Sequence, residues 1–189
     1  MEIKKIGIIV GSLRKESFSR KIAKILMKLS PKTFDVEEVD ISELSIFNQD
    51  FDDEGNTPTS WTTFRKQIEK YDGIIFVTPE YNRSVPAVLK NAIDIGSRPY
   101  GKNVWDGIPG AVVSVSPGAL SAFGANHHLR QSLVFLNIPT MQQPEAYIGN
   151  VATLLDENGD LTNERTQEFL QIFIDAFVNW VDTNARKKS

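Results

Sequence analysis

Runs of apolar residues alternate along the chain with segments in which apolar residues recur every three or four positions. Three apolar runs, at 6–10, 73–78 and 110–116, have the continuous character of strands buried on both faces, and a weaker strand is expected at 34–39. A fifth strand is expected to open at Ile138–Met141. The intervening segments have helical periodicity, and Pro31 and Pro86 mark a helix end and a helix start. The predicted helices lie at 18–30, around 61–68, 86–95, 120–136 and from 161 into the tail.

This alternation predicts an α/β fold, a doubly wound and mostly parallel sheet with helices on both faces. No internal repeat, low-complexity block or linker interrupts the pattern, so residues 1–189 are expected to form one domain. In such sheets ligands bind beyond the carboxyl ends of the strands. The segments that follow the strands are therefore the first place to look for chemistry.

Composition narrows the possible functions. Hydrophobic residues make up 41% of the 189 positions and charged residues 24%, which is typical of a globular protein. The absence of cysteine excludes a disulfide scaffold, a thiol nucleophile and a Cys-ligated cluster. A formal net charge of −3 argues against a nucleic-acid or membrane partner. The apolar stretch Ile6–Val10 is too short for a signal-peptide core, so we expect a cytoplasmic protein.

No pattern indicates a metal site. His127 and His128 are adjacent and lack the spacing of a helical metal motif. The acidic segments 50–55 and 156–160 begin like calcium loops, but Trp61 and Gln167 stand where each loop needs its final Glu. Both segments are therefore expected to be solvated turns.

The turn after the first strand has the character of a phosphate site. Residues 11–20 enter the first helix directly and contain three serines and Arg14 within eight residues. Helix N-terminal N–H groups, hydroxyls and a guanidinium all favour a phosphate. Simple N-capping would need a single serine, at Ser17 or Ser19. The turn lacks the Walker and G-x-G-x-x-G glycines, which favours a terminal monophosphate over a pyrophosphate.

Two further loops have features that suit a planar ligand. The loop 78–86 is stiffened by two prolines, with Tyr81 available as a wall and Asn82 as a polar group, although a merely rigid turn would look similar. The loop 114–119 is small and polar. A phosphate at the first loop and a flat ring at the other two match the outline of flavin mononucleotide.

These segments resemble the NADPH-dependent FMN reductase family, the flavodoxin-like group that includes quinone, chromate and azo-dye reductases. The similarity spans about residues 3–147 and rests on the turn 11–19, the loop 78–82 and the run 84–94, with the segments 116–118 and 128–130 in support. The combination of the Gly-Ser-Leu-Arg turn with the Pro-Glu-Tyr-Asn loop is specific, whereas either one by itself is weaker.

The resemblance implies a flavodoxin-like five-stranded parallel sheet of order 2-1-3-4-5 with tightly bound FMN. It implies that the phosphate is held by serines and Arg14, that Pro79 to Asn82 border the isoalloxazine, and that Ser116 lies near the ribityl chain or ring. Family members often carry Asn where this chain has Ser19. The expected cofactor-binding residues are Ser12, Arg14, Ser17, Phe18, Ser19, Pro79, Glu80, Tyr81, Asn82, Ser116 and Gly118.

The leading hypothesis is an FMN-dependent NAD(P)H oxidoreductase that passes hydride to a quinone, azo, nitro or similar acceptor by a ping-pong mechanism. Hydride transfer needs no side-chain acid or base, so no catalytic residue is assigned. The alternatives are a flavodoxin-type electron carrier and a phosphoester-binding regulatory module without redox function. The resemblance also suggests a homodimer or homotetramer, and Tyr100 and Trp105 look like exposed interface aromatics.

Overall fold

Strands and helices alternate in the computed structural model, which describes residues 3–186. The strands are β1 (Lys4–Val10), β2 (Phe34–Val39), β3 (Gly73–Thr78), β4 (Gly110–Val115) and β5 (Ala146–Ile148). The helices are α1 (Phe18–Leu29), α2 (Asp50–Asp53), α3 (Thr59–Ile68), α4 (Ala87–Gly96), α5 (Phe123–Phe135) and α6 (Glu164–Thr183), with a 3₁₀ turn at Val151–Thr153. All strand pairs are parallel in the order β2-β1-β3-β4-β5, which confirms the predicted sheet.

The sheet separates two hydrophobic cores. Helices α1 and α6 cover one face, where Ile8 and Val77 pack with Phe173. Helices α3, α4 and α5 cover the other, where Phe76 packs with Trp61. Strands β3 and β4 are buried along their whole length because both faces are covered, and this is why they read as continuous apolar runs. The result is a three-layer fold whose three central strands end at one edge.

The prediction of the fifth strand was wrong in position. At the predicted segment Ile138–Met141, Thr140 makes a single bridge to Gly110, and the Met141 N–H donates to the Gly110 carbonyl at 2.8 Å. Pro139 and Pro144 have no N–H to contribute to a ladder, so regular pairing begins only at β5.

The expectation that Trp105 is exposed was also wrong. The Trp105 side chain is 0% exposed, and its indole N–H donates to the Ile93 carbonyl at 3.0 Å. Gly96 allows this approach, because a Cβ there would lie 2.5 Å from the indole nitrogen. Trp105 is therefore a core residue, whereas Tyr100 is 92% exposed.

Two helix starts and one acidic segment differ from expectation. Helix α5 begins at Phe123 because Ser121 and Ala122 before it adopt positive φ values of 56° and 57°. Helix α6 begins after Asn163, whose side chain accepts a hydrogen bond from the Thr166 N–H. The segment expected to be a solvated turn at 50–55 instead forms α2. No helix within residues 3–186 is long and apolar enough to cross a membrane.

Candidate functional site

The loops that follow β1, β3 and β4 line a cavity of about 270 Å³ at one sheet edge. Nine of its eleven lining residues are among those expected to bind the cofactor, and the other two are Val115 and Pro117. Asn82 and Gly118 were also expected to bind the cofactor, but they do not line the cavity. The lining residues are Ser12, Arg14, Ser17, Phe18, Ser19, Pro79, Glu80, Tyr81, Val115, Ser116 and Pro117. The fold thus brings together residues that are up to 105 positions apart in the chain.

Two serines of the turn 11–20 already accept hydrogen bonds from the backbone. The Ser17 Oγ accepts from the Arg20 N–H at 3.3 Å, which makes Ser17 the N-cap of α1. The Ser12 Oγ accepts from the Arg14 N–H at 3.4 Å. A hydroxyl that accepts keeps its own proton to donate. The capping and phosphate-binding interpretations of these serines are therefore compatible.

Two further side-chain donors of this turn, those of Ser19 and Arg14, have no partner within residues 3–186. Ser19 is 2% exposed and lines the cavity, and its hydroxyl forms no hydrogen bond to another residue of that range. Arg14 also lines the cavity, and its guanidinium forms no ion pair with another residue of 3–186. Both lie beside the N-terminus of α1, where the helix dipole favours an anion. This donor set fits a phosphate group.

The loop after β3 is a tight hairpin. Tyr81 and Ser84 exchange both backbone hydrogen bonds, at 3.1 and 3.0 Å. Asn82 and Arg83 between them have φ values of 50° and 65°, as the two central residues of a type I′ turn require. Asn82 therefore lies at the exposed tip, which explains why it does not line the cavity. Tyr81 lies at the base, where its half-exposed ring forms part of the wall.

This hairpin is attached to α5 at both ends. The Glu80 carboxylate accepts a hydrogen bond from the Ala125 N–H at 3.0 Å, and the Ser84 hydroxyl pairs with His128 Nδ1 at 3.0 Å. The approach requires Gly124, because a Cβ there would lie 2.8 Å from the Arg83 carbonyl oxygen. Sequence reasoning missed this attachment, since nothing local links Glu80 to a helix 45 positions away.

The loop after β4 is fixed from within the core. The Ser116 Oγ accepts from the Gly118 N–H at 3.0 Å, so Gly118 supports the turn without facing the cavity. Ser114, which is fully buried, donates to the Ser121 carbonyl at 2.8 Å and accepts from the Asn126 amide at 3.2 Å. These bonds hold the third wall of the cavity against α5.

The titratable groups with clearly raised pKa values lie outside the cavity lining. Burial, followed by the neighbouring Glu145 carboxylate, raises the pKa of Tyr147 to about 12. Burial and Glu37 raise the pKa of Tyr71 still further. Both phenols are protonated at neutral pH, so neither supplies a base there.

Comparison with known proteins identifies the chain. The sequence profile of the NADPH-dependent FMN reductases matches residues 4–153. The chain belongs to the NADPH-dependent FMN reductase family. Members of this FMN reductase family are oxidoreductases, so this chain is an enzyme with FMN and NAD(P)H as cofactors. A cavity lined by serines, an arginine and an aromatic wall fits FMN. The alternative of a pure electron carrier is not favoured.

Individual proteins that are similar to this chain are named as reductases or oxidoreductases. A quinone reductase of Pseudomonas putida is 53% identical over 183 residues, which are 97% of this chain and 97% of that protein. A 2-hydroxy-1,4-benzoquinone reductase of Burkholderia sp is 44% identical over 177 residues, or 94% and 96% of the two chains. A solved flavoenzyme, an NAD(P)H:(acceptor) oxidoreductase of Paracoccus denitrificans, superposes with a TM-score of 0.91 at 39% identity and covers 97% of this chain and 100% of its own.

Proposed function

We propose that residues 1–189 act as one FMN-binding domain that oxidises NAD(P)H and reduces a quinone. The observation that carries this proposal is that the Ser19 hydroxyl and the Arg14 guanidinium, which have no partner within residues 3–186, line the same cavity as the Tyr81 ring. A phosphate donor set and an aromatic wall in one cavity suit an aromatic nucleotide of FMN type. The quinone reductases named among the relatives support a quinone as the acceptor.

The residues of the cavity divide into two groups by role. Ser12, Ser17, Ser19 and Arg14 would hold the phosphate through hydroxyls, N–H groups and the guanidinium, with Phe18 packed beside them. The second group, at the hairpin and at the loop after β4, would border the ring: Pro79, Glu80, Tyr81 and Ser116. Asn82 and Gly118 do not line the cavity and would support these two loops from outside it. When bound, FMN supplies the hydride-accepting ring nitrogen. Backbone N–H groups of the two ring loops are suited to support negative charge on the reduced ring.

The donor and the acceptor would use this cavity in turn, which gives a ping-pong mechanism. Both must reach one ring nitrogen, and the loops that would hold the ring line one cavity. A planar azo or nitro compound could enter in the same way as a quinone. We place this chemistry in the cytoplasm, where reduced nicotinamide nucleotides are available.

A homodimer or homotetramer is part of the proposal. Val134 and Phe135, at the end of α5, are 73% and 81% exposed, and Tyr100 is also exposed. Phe135 lines a groove of about 300 Å³ between α4 and α5 together with Arg98. Exposed aromatics of this kind are enriched at subunit interfaces. The hairpin at 81–84, which would border the flavin ring, is attached to the same helix, α5, so the cofactor site would lie near this interface.

An absorption spectrum of the purified protein is the first test. We expect a yellow protein with an oxidised-flavin band at about 450 nm, which NADPH bleaches and a soluble benzoquinone restores. Protein freed of flavin should oxidise NADPH only after FMN is added back. A colourless protein that does not bind added FMN would contradict the proposed function and leave the phosphoester-binding alternative.

A further inference from the structure

Arg20 reaches back from α1 over the phosphate turn without lining the cavity. Its Nη2 donates to the Ser12 carbonyl at 3.4 Å and its Nη1 to the Arg14 carbonyl at 3.4 Å. Its own N–H donates to the Ser17 Oγ, as described above. The Arg20 side chain thus contacts two of the proposed phosphate-binding residues from outside their cavity, and its backbone contacts a third.

Glu38 fixes the position of this guanidinium. The Arg20 Nε donates to the Glu38 Oε1 at 2.8 Å, and both side chains are about 30% exposed. Glu38 stands on β2 opposite Ile8 of β1, so the contact ties the turn to the sheet. The pair faces a separate cavity of about 380 Å³, which Asp40 also lines. A planar guanidinium with several fixed donors can bind Glu38 and the carbonyls of Ser12 and Arg14 at once. A lysine ammonium cannot make these three contacts in the same geometry.

We infer that Arg20 is a positioning residue that gives the site its preference for FMN over riboflavin. The guanidinium holds the Ser12 and Arg14 carbonyls and thereby fixes the conformation of the turn whose residues Ser12, Arg14 and Ser17 line the cavity. A phosphate requires that arrangement, and a flavin without phosphate does not use it. The inference rests on the proposed function, because it assumes that FMN occupies the cavity.

The test compares two flavins on the flavin-free full-length protein. Quenching of flavin fluorescence gives the dissociation constants of FMN and riboflavin for wild type, Arg20→Ala, Arg20→Lys and Lys24→Ala. We expect Arg20→Ala to weaken FMN about threefold to tenfold, the range that one net hydrogen bond gives, and to leave riboflavin unchanged. Arg20→Lys should show most of the same loss despite its retained charge. Lys24 is exposed one turn further along α1, so Lys24→Ala controls for a long-range charge effect.

Each other outcome has a distinct meaning. Equal weakening of FMN binding and riboflavin binding would assign Arg20 a general structural role and overturn the inference. Dissociation constants for both flavins that match wild type in both Arg20 variants would overturn it as well. An equal loss in Lys24→Ala would reduce the effect to charge and overturn it as well. If Arg20→Ala does not fold, the ratio of the FMN and riboflavin dissociation constants can be measured for Arg20→Lys and Glu38→Gln. A wild-type ratio in both variants would overturn the inference. Wild-type protein that binds no FMN would instead overturn the proposed function.

Discussion

The Glu80 carboxylate accepts the Ala125 N–H at 3.0 Å and thereby joins the loop after β3 to the first turn of α5. The first N–H groups of a helix have no partner inside it, and the helix dipole favours a negative charge at that end. Glu80 supplies both an acceptor and a charge. Its position in the cavity lining is therefore accompanied by a structural role, which is to hold the hairpin against α5.

Glu80→Ala should loosen this hairpin. We expect it to lower the free energy of unfolding by about 1–2 kcal/mol, because α5 loses a capping carboxylate. Urea denaturation at neutral pH measures the change. Glu80→Gln keeps an acceptor oxygen without the charge and should lose less than half as much. A loss as large in Glu80→Gln as in Glu80→Ala would mean that the charge, and not the hydrogen bond, holds the loop.

The three central strands could be predicted from the sequence, because they are buried on both faces for most or all of their length. The bounds of β3 agree with its apolar run, and β1 and β4 differ by at most two residues at one end. The bounds of β2 also agree with the prediction, although this strand is only partly buried. The position of β5 could not be predicted because it is a three-residue strand at the sheet edge with little apolar signal. Trp105 was misjudged because its burial depends on the glycine at position 96, which composition and periodicity do not reveal.

The cavity was predictable where ligand-binding groups follow a strand, as in the turn 11–20. The hairpin at 81–84 was not, since its positive φ values fall on Asn82 and Arg83 and no glycine marks them. The sequence marks Arg20 only as the last residue of the turn 11–20, and its contacts with Glu38 and the turn carbonyls depend on the pairing of β1 with β2. Contacts between distant segments are set by tertiary packing, and local patterns do not contain them.

Arg14→Ala should weaken FMN binding. A charge-assisted hydrogen bond contributes roughly 1.5–3 kcal/mol, which corresponds to about 10–150-fold in the dissociation constant. Flavin titration of the flavin-free protein measures it. Lys15→Ala removes a neighbouring charge that does not line the cavity and serves as the matched control. Equal affinity for FMN in Arg14→Ala and wild type would remove Arg14 from the proposed phosphate site.

Asp52→Asn should reveal a pH-dependent contribution to stability. The Asp52 side chain is 2% exposed and forms two hydrogen bonds with the Arg65 guanidinium, at 2.8 and 2.7 Å. These bonds lower the pKa of Asp52 from its usual value of 3.8. A carboxylate with a depressed folded-state pKa stabilises the protein above its unfolded-state pKa, and the stabilisation is lost as pH falls through the folded-state pKa. We therefore expect a loss of about 1–3 kcal/mol at pH 7.

This difference should shrink as the pH falls below about 4, because the unfolded chain then takes up a proton at Asp52, and it should be lost once the pH has fallen through the lowered folded-state pKa. Urea denaturation of both proteins across that range measures it. Asp50→Asn, which changes an exposed carboxylate of the same short helix, should leave stability within about 0.5 kcal/mol. A difference between wild type and Asp52→Asn that stays constant down to pH 2 would show that the charge is not responsible.

Phe135→Lys should disrupt the proposed assembly. The Phe135 ring is 81% exposed, so its replacement by a charged residue removes apolar surface without opening a core cavity. Light scattering at micromolar concentration should give a multiple of the 21.2 kDa chain mass for wild type and a smaller multiple for the variant. Ile172→Lys replaces an exposed apolar residue on α6, on the other face of the sheet, and is the control. A wild-type mass of one chain would contradict the oligomer.

The ping-pong mechanism predicts parallel double-reciprocal plots. The loops after β1, β3 and β4 line one cavity, and the 189 residues contain no second nucleotide fingerprint. The nicotinamide and the quinone both need the same ring nitrogen at short range, so the oxidised nucleotide should leave before the quinone enters. NADPH should be varied at several fixed benzoquinone concentrations, and the lines should stay parallel. High quinone should inhibit competitively against NADPH, because it occupies the same cavity in the oxidised enzyme. Lines that intersect to the left of the ordinate would indicate a ternary complex, and a separate acceptor site would then have to be sought outside this cavity.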